Sequence, residues 1–219
     1  MTITWYMPDT NMLVHWAHAL HGEKTSWGYD LQKIQAFMEH PEHRFILTDL
    51  VLAEFVGVFL QKITAEEFQG ASAGIRMSNG SLIRRAINQR QTFVQQIQAR
   101  LRKPDYYRYI TCRDLEESPF DRAARVYYQF LGQQRVLDVV EIQLREAQQK
   151  PGGQVKLLDG MDAPLISYLA QIASRYRDEQ VEFVSCDTIM YKIWNYRMLD
   201  QFGLPKNAGV MDPKRFRCG

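Results

Sequence analysis

The chain has 219 residues, 46% hydrophobic and 24% charged, with a net charge of +2, which suits a globular protein of one large domain and excludes a strongly basic or acidic chain. Cys112, Cys186 and Cys218 form no CxxC pair, which argues against a zinc ribbon or disulfide framework and fits a reducing, cytoplasmic compartment. No basic segment followed by an apolar one opens the chain and no apolar run approaches about 20 residues, so neither a signal peptide nor a membrane span is expected.

The β-prone run Ile3 to Tyr6 leads to Pro8, where a strand should end, because proline cannot donate to a central ladder. Asn11 reads as the N-cap of a short helix, Met12 to Leu20, with Asp9 at the mouth of the strand–helix turn. Open α/β sheets hold their ligands there, although Asp and Asn are also ordinary turn and cap residues. His15, His18 and His21 share a helical face, but no Cys or acid stands in register with them, so they read as polar tips at a helix end rather than metal ligands. Gly22 to Gly28 is expected to be a loop and Tyr29 to Met38 a helix, ended by His40-Pro41.

Phe45 to Thr48 suits a buried parallel strand, and Asp49 can cap the helix after it. Val51, Leu52, Phe55, Val56, Phe59 and Leu60 mark that helix's apolar side. Glu54 lies at the edge of this stripe. It is either a glutamate favoured by the helix dipole or a carboxylate facing a site near the strand end.

A polar stretch from residue 64 ends in a turn at Gly80, and Ser81 to Arg102 is expected as a long helix. Between Arg76 and Ile110 stand eight basic residues, among them Arg84, Arg85 and Arg90, against a single acid, Asp105. Tyr106, Tyr107 and Tyr109 follow. Basic and aromatic residues side by side suit nucleic acid, while a solvated helix face is the plainer alternative.

Arg108 to Cys112 is expected as a short edge strand. Ser118-Pro119 opens a helix to Leu131, and a further helix is expected over Arg135 to Lys150 before the break at Pro151-Gly152-Gly153. Asp162 and Pro164 start a helix with its buried face at Leu165, Ile166, Leu169, Ile172 and Ala173. Val181 to Cys186 is β-prone, Ser185-Cys186-Asp187-Thr188 ends it, and a helix over Ile189 to Phe202 repeats the opening pattern. Ala208 to Met211 is a last short strand.

Asp9, Glu54, Asp162 and Asp187 thus share one context, at a strand end or in the early turns of the following helix. In a right-handed parallel α/β sheet these positions converge on one edge. Four carboxylates in one pocket repel, and protons or cations must neutralise them. Oxygen ligands select hard ions such as Mg²⁺ or Mn²⁺, whose natural chemistry here is attack of activated water on a phosphodiester.

The chain resembles PIN-domain nucleases, and VapC-like toxin ribonucleases among them. The resemblance rests on Pro8-Asp9-Thr10-Asn11, on Thr48-Asp49-Leu50-Val51-Leu52-Ala53-Glu54, on Asp162-Ala163 with its apolar helix, on Ser185-Cys186-Asp187 and on Val210-Met211-Asp212-Pro213. It covers residues from 3 to about 62 and from about 108 to 216. It implies a single PIN-like domain over residues 1–219, a three-layer α/β fold with about five parallel strands flanked by helices; the basic helical segment at about 64–107 is an insertion that departs from the family pattern, as does the further helix over 135–150. It implies a Mg²⁺- or Mn²⁺-dependent endoribonuclease acting on single-stranded or loop RNA. It raises the role of a toxin paired with an antitoxin protein, and a homodimer.

By the same resemblance Asp9, Asp162 and Asp187 are the metal ligands, and Glu54 holds a metal-bound water. Asn11 and Ser185 support them by hydrogen bonds. Asp159 is a rival to Asp162, whose downstream apolar register fits the family helix better. Arg84, Arg85 and Arg90 are the candidate RNA-binding residues. The alternative is a non-catalytic PIN-like module that binds RNA or a protein.

Overall fold

The computed structural model describes residues 3–20, 25–26, 28–61, 79–103, 106–131, 141, 144–145, 148–149, 161–188, 190–191 and 203–218. Strand β1 spans Thr4–Pro8 and helix α1 spans Thr10–Leu20. A small hairpin of β2, Thr25–Ser26, and β3, Tyr29–Asp30, leads to α2, Leu31–Met38. Then come β4, Arg44–Thr48, α3, Asp49–Gln61, α4, Asn79–Leu101, and β5, Tyr107–Ile110. Helix α5, Pro119–Leu131, α6, Asp162–Arg175, β6, Gln180–Val184, and β7, Ala208–Val210, complete the described regular elements with two short 3₁₀ turns.

Five strands form one sheet in the order β5-β4-β1-β6-β7, and every pairing is parallel. The chain builds outward from β1 in one direction through β4 and β5, and then in the other through β6 and β7. Right-handed crossovers therefore put α1 to α4 on one face and α5 and α6 on the opposite face. The helix contacts follow this division: α1 packs on α2 and α3, α3 on α4, and α5 on α6. The result is an α/β fold with an all-parallel sheet flanked by helices, as the sequence implies.

The core explains the apolar runs. Met7, Phe45, Ile46, Leu47, Val181, Phe183 and Val184 from the three central strands are buried, as strands covered on both faces must be. Helix α6 is buried along Ala163 to Ala173. The basic helix α4 belongs to the β4–β5 crossover and sets Val94, Ile97 and Leu101 into the common core. Its Arg100 pairs with Glu39 at the end of α2, a second tie to the body of the protein.

Several sequence expectations shift. Helix α1 begins at Thr10, so Asn11 lies in its first turn and is not the N-cap; Asp9 takes that place, its carbonyl accepting from Met12 N at 3.1 Å. Thr48 Oγ1 accepts from Val51 N at 3.2 Å, so Thr48 shares with Asp49 the capping of α3. Helix α2 starts at Leu31 behind an Asp30 N-cap, because Tyr29 and Asp30 pair with Ser26 and Thr25 as a hairpin. Gly28 makes that turn, at φ 80°, a conformation β-carbon residues avoid. On α3, Val51 and Phe55 are buried, whereas Leu52 and Val56 are half-buried and border a groove. Most of the helices expected over Arg135 to Lys150 and Ile189 to Phe202, and Asp159, lie outside the described residues. Among the described residues no helix is long and apolar enough to cross a membrane.

Candidate active site

The strand order reverses between β1 and β6, and the carboxyl ends of these neighbours define the crevice where open α/β sheets place ligands. Pro8 ends β1 there and Val184 ends β6 beside it, with Asp9 N donating to Val184 O at 2.8 Å. The residues just beyond the two strands, Asp9 to Asn11 and Ser185 to Asp187, are therefore held together by backbone register.

Asp9 stands at the centre, 9% exposed. Its Oδ1 accepts from Thr10 N at 2.7 Å. Its Oδ2 accepts from Asn11 Nδ2 at 2.7 Å and from Ser185 Oγ at 2.8 Å. Asn11 Oδ1 in turn accepts from Cys186 N at 2.9 Å, and Ser185 Oγ accepts from Asp187 N at 2.9 Å. Asn11 and Ser185 thus tie the ends of β1 and β6 and fix the Asp9 carboxylate between them. Burial pushes the Asp9 carboxyl up to about 6; the Ser185 and Thr10 hydrogen bonds oppose this, and the charges of Glu54 and Asp187 add to it.

Glu54 arrives from α3. Its Oε2 accepts from Thr10 Oγ1 at 2.6 Å, a bond across 44 residues of sequence. Asp162 is the first residue of α6, where a carboxylate favours the helix dipole. Asp9, Glu54, Asp162 and Asp187 line one cleft of about 200 Å³ together with Thr10 and Asn11, and Val14, Val58 and Leu165 supply apolar wall. All four acids named from the sequence are thereby brought to one cavity. Arg84 lies exposed on α4, while the side chains of Arg85 and Arg90 lie outside the described residues.

The lining is rich in carboxylate oxygen, the donor chemistry that hard divalent cations take. Among the described residues, no group of three or more His, Cys, Asp or Glu that could hold a metal ion is found with the side chains in these positions. The donor set fits such a cation in kind. His15, buried on α1, packs its ring against Tyr29 at 5.5 Å, away from the residues lining the cleft, and His21 lies outside the described residues. Cys186 is also buried, its Sγ 3.4 Å from Met12 Sδ. Burial, then Asp9 and Asp187, push its thiol up to about 12, so no thiolate nucleophile forms there at neutral pH.

Thr10 is the residue that sequence reasoning left without a role. It lies within Pro8-Asp9-Thr10-Asn11, but nothing in the sequence pairs it with Glu54. Asp49 is a second addition: its carboxylate accepts from Tyr168 Oη on α6 and from Cys112 N after β5, linking elements on both faces of the sheet.

No protein-family model and no curated protein matches the chain. Among solved structures it is similar to AlbC, a cyclodipeptide synthase from Streptomyces noursei, at 9% identity over 98% of this chain and 97% of that one, with a TM-score of 0.33. A likeness at that level carries no argument about activity.

Proposed function

We propose that the chain is a PIN-type, Mg²⁺- or Mn²⁺-dependent endoribonuclease that hydrolyses phosphodiester bonds of single-stranded RNA. The observation that carries this reading is the convergence of Asp9, Glu54, Asp162 and Asp187 on one cleft at the sheet's switch point. Asp9, Asp162 and Asp187 would hold the cation, which when bound supplies charge neutralisation and lowers the pKa of water. Asn11 and Ser185 hold Asp9 at fixed orientation through donors to Oδ2. Thr10 holds Oε2 of Glu54, and Glu54 would accept a proton from the attacking water. Val14, Val58 and Leu165 exclude bulk water from the walls and strengthen each charge interaction inside. Exposed cations on α4, Arg84 among them, offset the repulsion between the acids and the RNA phosphates.

The test is cleavage of single-stranded RNA in Mn²⁺. Asp9→Asn and Asp187→Asn should each lower the rate by at least about a hundredfold with an unchanged circular dichroism spectrum, the scale of removing a group that stabilises transition-state charge. His18→Ala should retain most activity. An inactive His18→Ala beside an active Asp9→Asn would put the chemistry elsewhere.

A further inference from the structure

Outside the acid cleft, the described residues form a groove of about 740 Å³ between α3, the end of α4 and the edge strand β5. Leu52, Ala53 and Val56 of α3 form one side, Leu101 and Arg102 another, and Tyr107 and Tyr109 of β5 the third. Tyr107 is fixed by stacking on Phe45, ring centroids 5.4 Å apart at 17°. Tyr109, on the same side of the strand, is 58% exposed, and the neighbouring Tyr106 is 41% exposed.

The groove carries cations at its α4 end, while Asp49 in its lining and Asp114 near Tyr109 are acids. Arg102, in the lining, and Lys103 are exposed just after α4. The acid in the described lining is Asp49, and its oxygens already accept from Leu50 N, Tyr168 Oη and Cys112 N. An exposed aromatic ring beside an apolar wall and free cations suits a flat base attached to a phosphate chain, because stacking needs a π-face and the cations need a polyanion. An acidic helix would leave its own charges over the apolar α3 wall.

Helix α3 also sets the distance. At about 100° per residue, Leu52, Ala53 and Val56 lie on one side of it and Glu54 and Val58, which line the acid cleft, on the opposite side. The two sites thus stand about one helix diameter apart, roughly 10–12 Å. We propose that this groove is a base-binding slot, in which an unpaired base of single-stranded RNA stacks on Tyr109 while Arg102 contacts the adjoining phosphate and a neighbouring phosphodiester reaches the acid cleft. This rests on the RNA reading proposed above and adds the subsite that seats the strand.

The experiment is fluorescence titration of a short single-stranded RNA carrying one 2-aminopurine, with the full chain in EDTA so that metal-dependent cleavage is suppressed. Binding should quench the 2-aminopurine. Tyr109→Ala should weaken binding by about 5- to 150-fold and abolish the quench, the scale of one lost base–aromatic stack. The salt slope should stay the same, because no phosphate contact is removed. Tyr109→Phe should restore both binding and quench. Ala53→Phe, an exposed position whose larger ring fills the groove, should act like Tyr109→Ala; melting temperatures close to that of the unsubstituted chain verify the fold of each. Unaltered affinity and quench in both Tyr109→Ala and Ala53→Phe would overturn the slot while leaving the nuclease reading intact. So would a dimer in sedimentation that these variants dissociate without loss of RNA affinity, which would assign the groove to a second copy. RNA that binds and is quenched but is not cut in Mn²⁺ would support the slot and sink the nuclease reading, and no RNA binding at all would end both.

Discussion

At the scale of single residues, Asp9 concentrates the tension of the site. It accepts three hydrogen bonds yet is buried beside two other acids, and its carboxyl is pushed up to about 6. The folded chain therefore holds the Asp9 proton more tightly than the unfolded chain, whose value is about 3.9. The associated stability is fully present below about pH 4 and is lost as pH rises through about 6. The loss amounts to roughly 2–3 kcal/mol. In urea unfolding with EDTA present, the stability difference between the unsubstituted chain and Asp9→Asn should shift by about that amount between pH 4 and pH 7, to the disadvantage of the former. Parallel pH curves for the two proteins would refute the burial of an ionising Asp9. A bound divalent cation reverses the sign, since it favours the ionised carboxylate.

At the scale of elements, α4 is both a core helix and a carrier of cations. Val94, Ile97 and Leu101 anchor it in the core, and Arg100 is tied to Glu39. Arg100 is thus a docking residue. Arg84 is exposed, and Arg85 and Arg90 complete the basic trio expected from the sequence. If these three guide the RNA backbone, changing all three to Gln should weaken RNA binding and reduce the slope of log affinity against log salt by up to about two, at about 0.7 per phosphate contact. The melting response to Mn²⁺ should be unchanged, because the acid cleft is untouched. A triple variant that keeps its RNA affinity and salt slope would remove α4 from the RNA path.

At the scale of the whole molecule, the sheet order lets four distant stretches of chain meet. Asp9 and Asp187 follow adjacent strands, Glu54 comes from the helix after β4, and Asp162 opens the helix that precedes β6. A divalent ion shared by these elements would bind the folded chain and stabilise it by mass action, about 2.7 kcal/mol at a hundred times its dissociation constant. For a chain of this size that corresponds to a rise in melting temperature of roughly 5–10 °C. Asp162→Asn and Asp187→Asn should each blunt the rise. An identical melting curve with and without millimolar Mn²⁺ would count decisively against a shared metal site.

How much of this was legible in the sequence divides along physical lines. Strand and helix alternation, the Pro8 strand end and the buried apolar runs are local, because periodicity and proline geometry act within a few residues. They sufficed for the α/β class and for picking out the acids: Asp9, Glu54 and Asp187 follow strand ends, and Asp162 opens an apolar-striped helix. Helix starts were less legible: Asp9, not Asn11, precedes α1 because Asn11 is drawn to the Cys186 amide from another strand. The Thr10–Glu54 bond, the Asp49 link to Tyr168 and the groove beside Tyr109 were not legible at all. Each depends on how far α3 and α6 are rotated and shifted against the sheet. That placement is set by packing among side chains far apart in sequence, and only the tertiary structure decides it.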